Sequence, residues 1–268
     1  NGAPAAAVAH TEATAAARSV AESRRLAKSA DAELRTRATA AYAKLPLRFE
    51  PNIGQTDPRV NFLARGDGYS IFLTPTEAVL VFGDRPNSRK RSDPSNSAGD
   101  AKYSVVQMKL LGVNSAAQAT ASDELPGRSH YFIASDPNSW RTDIRTFGRV
   151  KYEEIYEGID LVYYSNKGKL EFDFVVAPGA DPSLIKMTFS GADEIRKSSD
   201  GDILLDTSTG RINVHKPYIY QIIDAQKVTV DGDFELSSLD DDPGPGSQQL
   251  TFQLAGYDMS ESLVGDPV

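Results

Sequence analysis

At 268 residues, with 40% hydrophobic and 25% charged side chains, the chain is long enough to bury a sizeable core and has the make-up of a globular protein rather than a disordered one. It contains no cysteine, which excludes disulfides, thiolate nucleophiles and cysteine-ligated metal, and its three histidines (His10, His130 and His215) are not at metal-ligand spacing. Seven basic against four acidic side chains give residues 1–44 a charge of +3, which leaves −11 of the net −8 on residues 45–268, a body that repels nucleic-acid phosphates.

The chain opens on Asn1, Gly2, Ala3, Pro4 and Ala5, a small-residue start read as that of a mature chain whose export signal has been removed. The expected location is therefore extracellular, cell-surface or periplasmic. No apolar run approaches the roughly 20 residues of a membrane-spanning helix. From Thr11 the sequence is rich in Ala, Arg and Glu without Gly or Pro before Pro46, which predicts a helix over 11–44, about 50 Å long at 1.5 Å per residue. Thr11 is its N-cap. Its apolar stripe is mostly alanine and is interrupted by Arg24 and Asp31, so the helix buries little area by itself. Residues 1–44 are thus a flexible lead and a helical arm. Arg18, Arg24, Arg25 and Arg35 are its candidate contacts with an acidic partner or with the acidic body of another copy.

After Leu45 the period of the sequence changes to two. Strands are predicted at 60–64, 69–74 and 77–82, the first two joined through Gly66-Asp67-Gly68. Residues 83–101 read as a polar surface loop carrying Arg89-Lys90-Arg91. A strand at 103–111 precedes a second loop over 112–128 and a short strand at 131–134. Strand signals then come quickly, at 149–155, 159–165, 170–176, 184–189, 203–206, 212–215, 218–223, 227–230, 234–236 and 249–255. In the strand at 170–176, Leu170, Phe172, Phe174 and Val176 face one way, and Glu171 and Asp173 the other. Short, evenly spaced strands without alternating helices predict an all-β fold, an antiparallel β-sandwich over 45–268. If it divides into two packed sub-sandwiches, the break falls near 83–101 or 112–130.

Catalytic patterns are sparse. There is no G-x-S-x-G elbow, and His130 and His215 read as structural. Glu153, Glu154, Glu157 and Asp160 cluster in sequence, but adjacency does not place two carboxylates across a cleft. No cofactor is expected beyond a weak calcium reading of the Asp-Gly-Asp turns at Asp200, Asp202, Asp231 and Asp233, which a plain hairpin-turn reading of Asp-Gly outweighs. Tyr152, Tyr156, Tyr163, Tyr164, Tyr218 and Tyr220, with Trp140 nearby, suit half-buried strands more than a glycan-stacking platform. Trp140 and Tyr163 are the aromatic contact candidates.

Three long runs carry a resemblance: LPLRFEPNIGQTDPRVNFLARGDGYSIFLTPTEAVL (45–80), DELPGRSHYFIASDPNSWRTDIRTFGRVKYEEIYEGIDLVYY (123–164) and GKLEFDFVVAPGADPSLIKMTFSGAD (168–193), with HKPYIYQ (215–221) and the final DPV. Together they resemble the N-terminal β-rich module that precedes SBBP-type β-propeller repeats in large secreted bacterial surface proteins. The propeller itself is absent here, and the helical arm lies outside the match. The resemblance implies an exported all-β module without assigned catalytic residues. The resulting expectation is a non-catalytic structural or interaction module that docks to a surface or envelope assembly, or to copies of itself, through its arm or its sheet edges. The alternative is a carbohydrate-binding module using surface Tyr and Trp.

Overall fold

The computed structural model describes residues 47–66, 68–83, 102–132, 135–238 and 248–267. The helix expected over 11–44, its four arginines Arg18, Arg24, Arg25 and Arg35, and the loop residues 84–101 lie outside the described residues.

Among the described residues every long element is a strand. In chain order they are β1 (Phe49–Pro51), β2 (Phe62–Arg65), β3 (Tyr69–Leu73), β4 (Glu77–Gly83), β5 (Tyr103–Leu110), β6 (Ala119–Tyr131), β7 (Arg141–Tyr156), β8 (Ile159–Asn166) and β9 (Lys169–Val176). They continue as β10 (Lys186–Ser190), β11 (Glu194–Lys197), β12 (Ile203–Thr207), β13 (Gly210–Val214), β14 (Tyr218–Ile223), β15 (Gln226–Val230), β16 (Gly232–Ser238), β17 (Gln248–Leu254) and β18 (Leu263–Asp266). Among the described residues two single turns of 3-10 helix, Pro137–Ser139 and Pro182–Leu184, each follow an aspartate whose carboxylate accepts the N–H two residues on.

Fifteen strands form one antiparallel sheet in the order β15-β14-β18-β9-β8-β7-β1-β2-β3-β4-β5-β10-β17-β16, with β6 paired to β7. The ends of that order, β15 and β16, are consecutive in the chain with only Asp231 between them, so the sheet curls round until it is nearly closed as a barrel. Strands β11, β12 and β13 form a separate three-stranded sheet whose Ile195, Ile203, Leu205 and Val214 join the same core.

The all-β antiparallel expectation holds; the two-sheet sandwich does not. The strands flanking 84–101 pair with each other from Glu77↔Lys109 to Gly83↔Tyr103, and the stretch expected as a loop over 112–128 supplies most of β6, so neither region breaks the sheet. Alternation decides which side of a strand is buried, not which distant strand lies beside it. Here the closure rests on pairings remote in sequence, β5 with β10 and β9 with β18.

Inside, the period of two is kept. Ser104, Val106, Met108 and Leu110 of β5 are buried, while Tyr103, Val105 and Lys109 are exposed. Tyr152, Tyr163, Phe49, Phe174 and Phe234 are the largest fully buried side chains, and Tyr152, Tyr163 and Phe172 pack ring against ring at 6.2 and 6.1 Å.

Candidate functional site

Three features of this barrel stand apart from its packing. The first is the β6–β7 ribbon. Strand β7 carries β8 and the single β1 pairing on one edge and β6 on the other, so among the described residues β6 has one partner and an open outer edge. None of its thirteen residues is buried. Register shifts between Leu125 and Arg128 and between Ser129 and Tyr131, with Asp123 and Asp143 at φ of 58° and 59°, break its regularity. Ion pairs brace it: Glu124 with Arg145, Glu124 with Arg128 at 3.1 Å, and Asp123 with Arg149 at 3.4 Å.

β1 anchors the ribbon to the barrel. The buried Glu50 carboxylate accepts from Ser129 Oγ at 2.7 Å and from Tyr131 Oη at 2.5 Å, with the Arg65 guanidinium 3.7 Å away. Burial, and then the bond to Glu50, push the Tyr131 hydroxyl up to about 12. Arg141 closes the far end by donating to the Ile53 carbonyl at 3.1 Å. Past β6 stands an aromatic group: Phe132, 66% exposed, stacks on His130 and meets Trp140 edge-on at 5.1 Å. Beside the ribbon runs an open groove of about 490 Å³ lined by Pro51, Ile53, Phe62, Ile144 and Phe147 among others.

The second feature is a cavity of about 570 Å³ between the barrel wall and the small sheet. Leu80, Phe82, Val106, Met108 and Phe172 line it from the barrel, and Leu205, Ile212 and Val214 from β12 and β13. Tyr69 borders it; its hydroxyl, donating to the Gly168 carbonyl at 3.0 Å, is pushed up to about 12 by burial. Lys169, Glu171, Arg211 and His215 are the charged or titratable side chains around it.

The third is a carboxylate group on the outer face of β9. Tyr164 of β8 donates to Asp173 Oδ1 at 3.0 Å, and the register that sets Gly265 opposite Phe174 brings Asp266 beside Asp173. Burial, and after it the neighbouring Asp266, push the Asp173 carboxyl up to about 6. Burial raises Asp266 too, and its Oδ1 is buried without a hydrogen-bond partner. Burial and the Asp173 charge raise the Tyr164 hydroxyl well above the usual phenol range.

The residues singled out from the sequence are distributed unevenly over these features. Trp140 is at the ribbon's aromatic end. Tyr163 is a correction: it is 1% exposed and belongs to the core, because its strand turns it into the barrel between Tyr152 and Phe172. The tyrosines do not form one platform. Tyr152 and Tyr156 are also buried, Tyr164 is tied to Asp173, and only Tyr218 and Tyr220 pair near the surface, at 5.5 Å.

Of the calcium candidates, Asp202 binds His215 Nδ1 at 3.0 Å and accepts the Lys216 N–H, while Asp233 is paired with Lys197 at 2.8 Å. Asp231 gives its carbonyl to the Ala255 N–H, and Asp200 sits in the exposed turn before Gly201. Among the described residues no group of three or more His, Asp or Glu side chains is arranged to hold a metal ion. Asp160 is spent locally, accepting the Glu154 N–H at 2.9 Å and pairing with Lys151, so the cluster at 153–160 braces a bulge. The sequence reading missed the ribbon, the half-buried cavity wall and the Asp173–Asp266 pair. Only the last left a trace, two acids facing away from an apolar stripe.

No helix among the described residues is long and apolar enough to cross a membrane. The model of one protein family, described as a domain of unknown function (DUF7948), matches residues 49–268. No curated protein and no solved structure matches the chain.

Proposed function

We propose, for a chain that belongs to the DUF7948 domain family, that it is a non-catalytic contact module whose working surface is the β6–β7 ribbon. The observation that carries this reading is the long β6 itself: thirteen residues paired on one edge only, with none buried, leading to an exposed aromatic end. Only Ala119 and Ala121 of this strand pack against the core, and exposed aromatics beside an apolar groove are the usual anchors of a protein contact. The exported, cell-surface setting and the envelope partners implied by the resemblance to modules preceding SBBP-type repeats belong to the same proposal. So does docking by the basic arm, which rests on the charge contrast between residues 1–44 and the body.

The test compares the wild-type chain with Phe132→Ala/Trp140→Ala for retention on envelope material of the producing cells. The wild type should be retained and the double variant released, with equal thermal midpoints for the two. Equal retention would remove the ribbon from the contact. A second reading, glycan stacking, is favoured by the Phe132–Trp140 pair. Protease treatment of the envelope material abolishes retention if the partner is a protein, whereas periodate oxidation does so if it is a glycan.

A further inference from the structure

The cavity between the barrel wall and the small sheet lies outside the contact surface proposed above, and its walls are of one chemical kind. At about 570 Å³ it falls within the roughly 300–1,000 Å³ of pockets that enclose small molecules. Leu80 and Phe82 of β4, Leu170 of β9 and Ile212 of β13 line it and stay half-buried, whereas Val106 and Phe172 beside them are buried. Apolar walls with no atoms packed against them forfeit dispersion contacts, which an apolar guest restores. Water fills such a space poorly, because it finds few hydrogen-bond partners there.

The charged neighbours do not change that character. Lys169 and Glu171 alternate with Leu170 and Phe172 and take the opposite face of β9, where Glu171 stands across from Tyr164. Arg211 alternates with Ile212 in the same way and is held by Asp206 at 2.5 Å, and His215 is held by Asp202 at 3.0 Å. The Tyr69 and Thr209 hydroxyls at the wall are already donating, Tyr69 to the Gly168 carbonyl at 3.0 Å and Thr209 to Ser104 Oγ at 2.7 Å. A guest's polar end therefore finds no free charge among the described residues of the wall, and its best place is at the mouth, in solvent.

We infer that the cavity is a binding site for the aliphatic chain of an amphiphile, taken up between Leu80 and Phe82 on the barrel and Ile212 on the small sheet, with the head group left outside and unread. Calorimetric titration of the full chain with octanol, dodecanol, dodecanoate and dodecylamine, each below its aggregation concentration, tests this. Dodecanol should bind saturably, one per chain, and roughly a hundredfold more tightly than octanol, because each further methylene leaves water. The three twelve-carbon ligands should agree within about tenfold, since a head group in solvent feels only screened charges. Leu80→Trp, or Ile212→Trp on the opposite wall, should abolish binding by filling the space, at a thermal midpoint close to that of the wild type. An affinity that does not rise from octanol to dodecanol, or no saturable binding of dodecanol, would overturn the assignment to an aliphatic chain, whatever the variants do. A head-group preference beyond tenfold would overturn the placement of the polar end outside. Binding that survives both tryptophan variants would overturn the assignment to this cavity.

Discussion

Replacing Asp173 by Asn removes one charge from the carboxylate group and leaves its shape. Asp173 accepts from Tyr164 at 3.0 Å, which an amide oxygen can still do, and the new amide N–H₂ faces Asp266, whose Oδ1 has no partner. In the fold the Asp173 carboxyl is pushed from 3.8 to about 6, first by burial and then by Asp266; Glu171 adds to this, while Arg149 and the Tyr164 hydrogen bond oppose it. The folded value is above the unfolded one. Stability tied to this proton is therefore complete below about pH 4 and is lost as pH rises through 6. At 1.36 kcal/mol per tenfold the ceiling is roughly 3 kcal/mol. Partial access of solvent to the pair reduces the expected effect to roughly 1–2 kcal/mol. Urea denaturation at pH 4.5 and pH 8 reads it directly. At pH 8 the variant should unfold at a midpoint higher than wild type by roughly 0.5–1 M, for a slope near 2 kcal/mol/M. At pH 4.5, where the unfolded carboxyl is already mostly ionised and the folded one is not, roughly a third of that difference should remain. A variant destabilised equally at both pH values would refute the reasoning, because the carboxylate would then be stabilising in its ionised form.

Glu50→Ala should cost roughly 3 kcal/mol, since it strips a buried charge from Ser129, Tyr131 and Arg65. Amide exchange should locate the loosening in β6 and at the start of β7. Gly191→Ala should lower the thermal midpoint sharply, because a Cβ there, at φ +86°, would stand 1.9 Å from the Val105 carbonyl oxygen where β10 meets β5. The same substitution at Gly179, also at positive φ but with nothing within 4 Å, should cost only the backbone strain, and comparing the two melts separates clash from strain. Calcium or a chelator should leave the thermal midpoint unmoved, because Asp202 and Asp233 already hold His215 and Lys197; a calcium-dependent rise would revive the metal reading of those turns.

How much of the fold the sequence disclosed follows from where its information is local. The strand at 218–223 coincides with β14, and the hairpin 159–165/170–176 with β8 and β9, because alternation and a Lys167-Gly168 turn are written in neighbouring residues. Four strands were not legible. β1 is three residues ending in Pro51, β11 carries one apolar residue, Ile195, and β18 places Gly265 where a side chain would mark the face. β6 was hardest. Its ATASDELPGRSHY holds no alternating stripe, since neither of its faces is buried, and its conformation is imposed by the ladder to β7 and by the ion pairs of Glu124 and Asp123. The candidate sites were invisible for a related reason. Asp173 and Asp266 are 93 positions apart in the sequence yet lie side by side across β9 and β18, and nothing local in the sequence records which acids a closed sheet will bring together.

The open edge of β6 also constrains how the ribbon can bind. An unpaired strand edge is a template for another strand, and one thirteen residues long would invite aggregation if it were regular. This one is irregular. Pro126 lacks an N–H to offer, Gly127 stands at φ +103°, Asp123 at φ 58° turns the edge again, and the register slips twice before Tyr131. The uninterrupted stretch is left at 119–122, opposite Tyr152 to Arg149. Four residues are too few for strand addition to supply most of an affinity. Recognition through the ribbon must therefore come from side chains, with Phe132 and Trp140 as the anchors and the groove at Ile53 and Ile144 as their flank. Straightening the edge with Pro126→Thr and Gly127→Val should consequently raise self-association in light scattering without strengthening retention on envelope material. A gain in retention instead would show that the edge itself, and not its side chains, makes the contact.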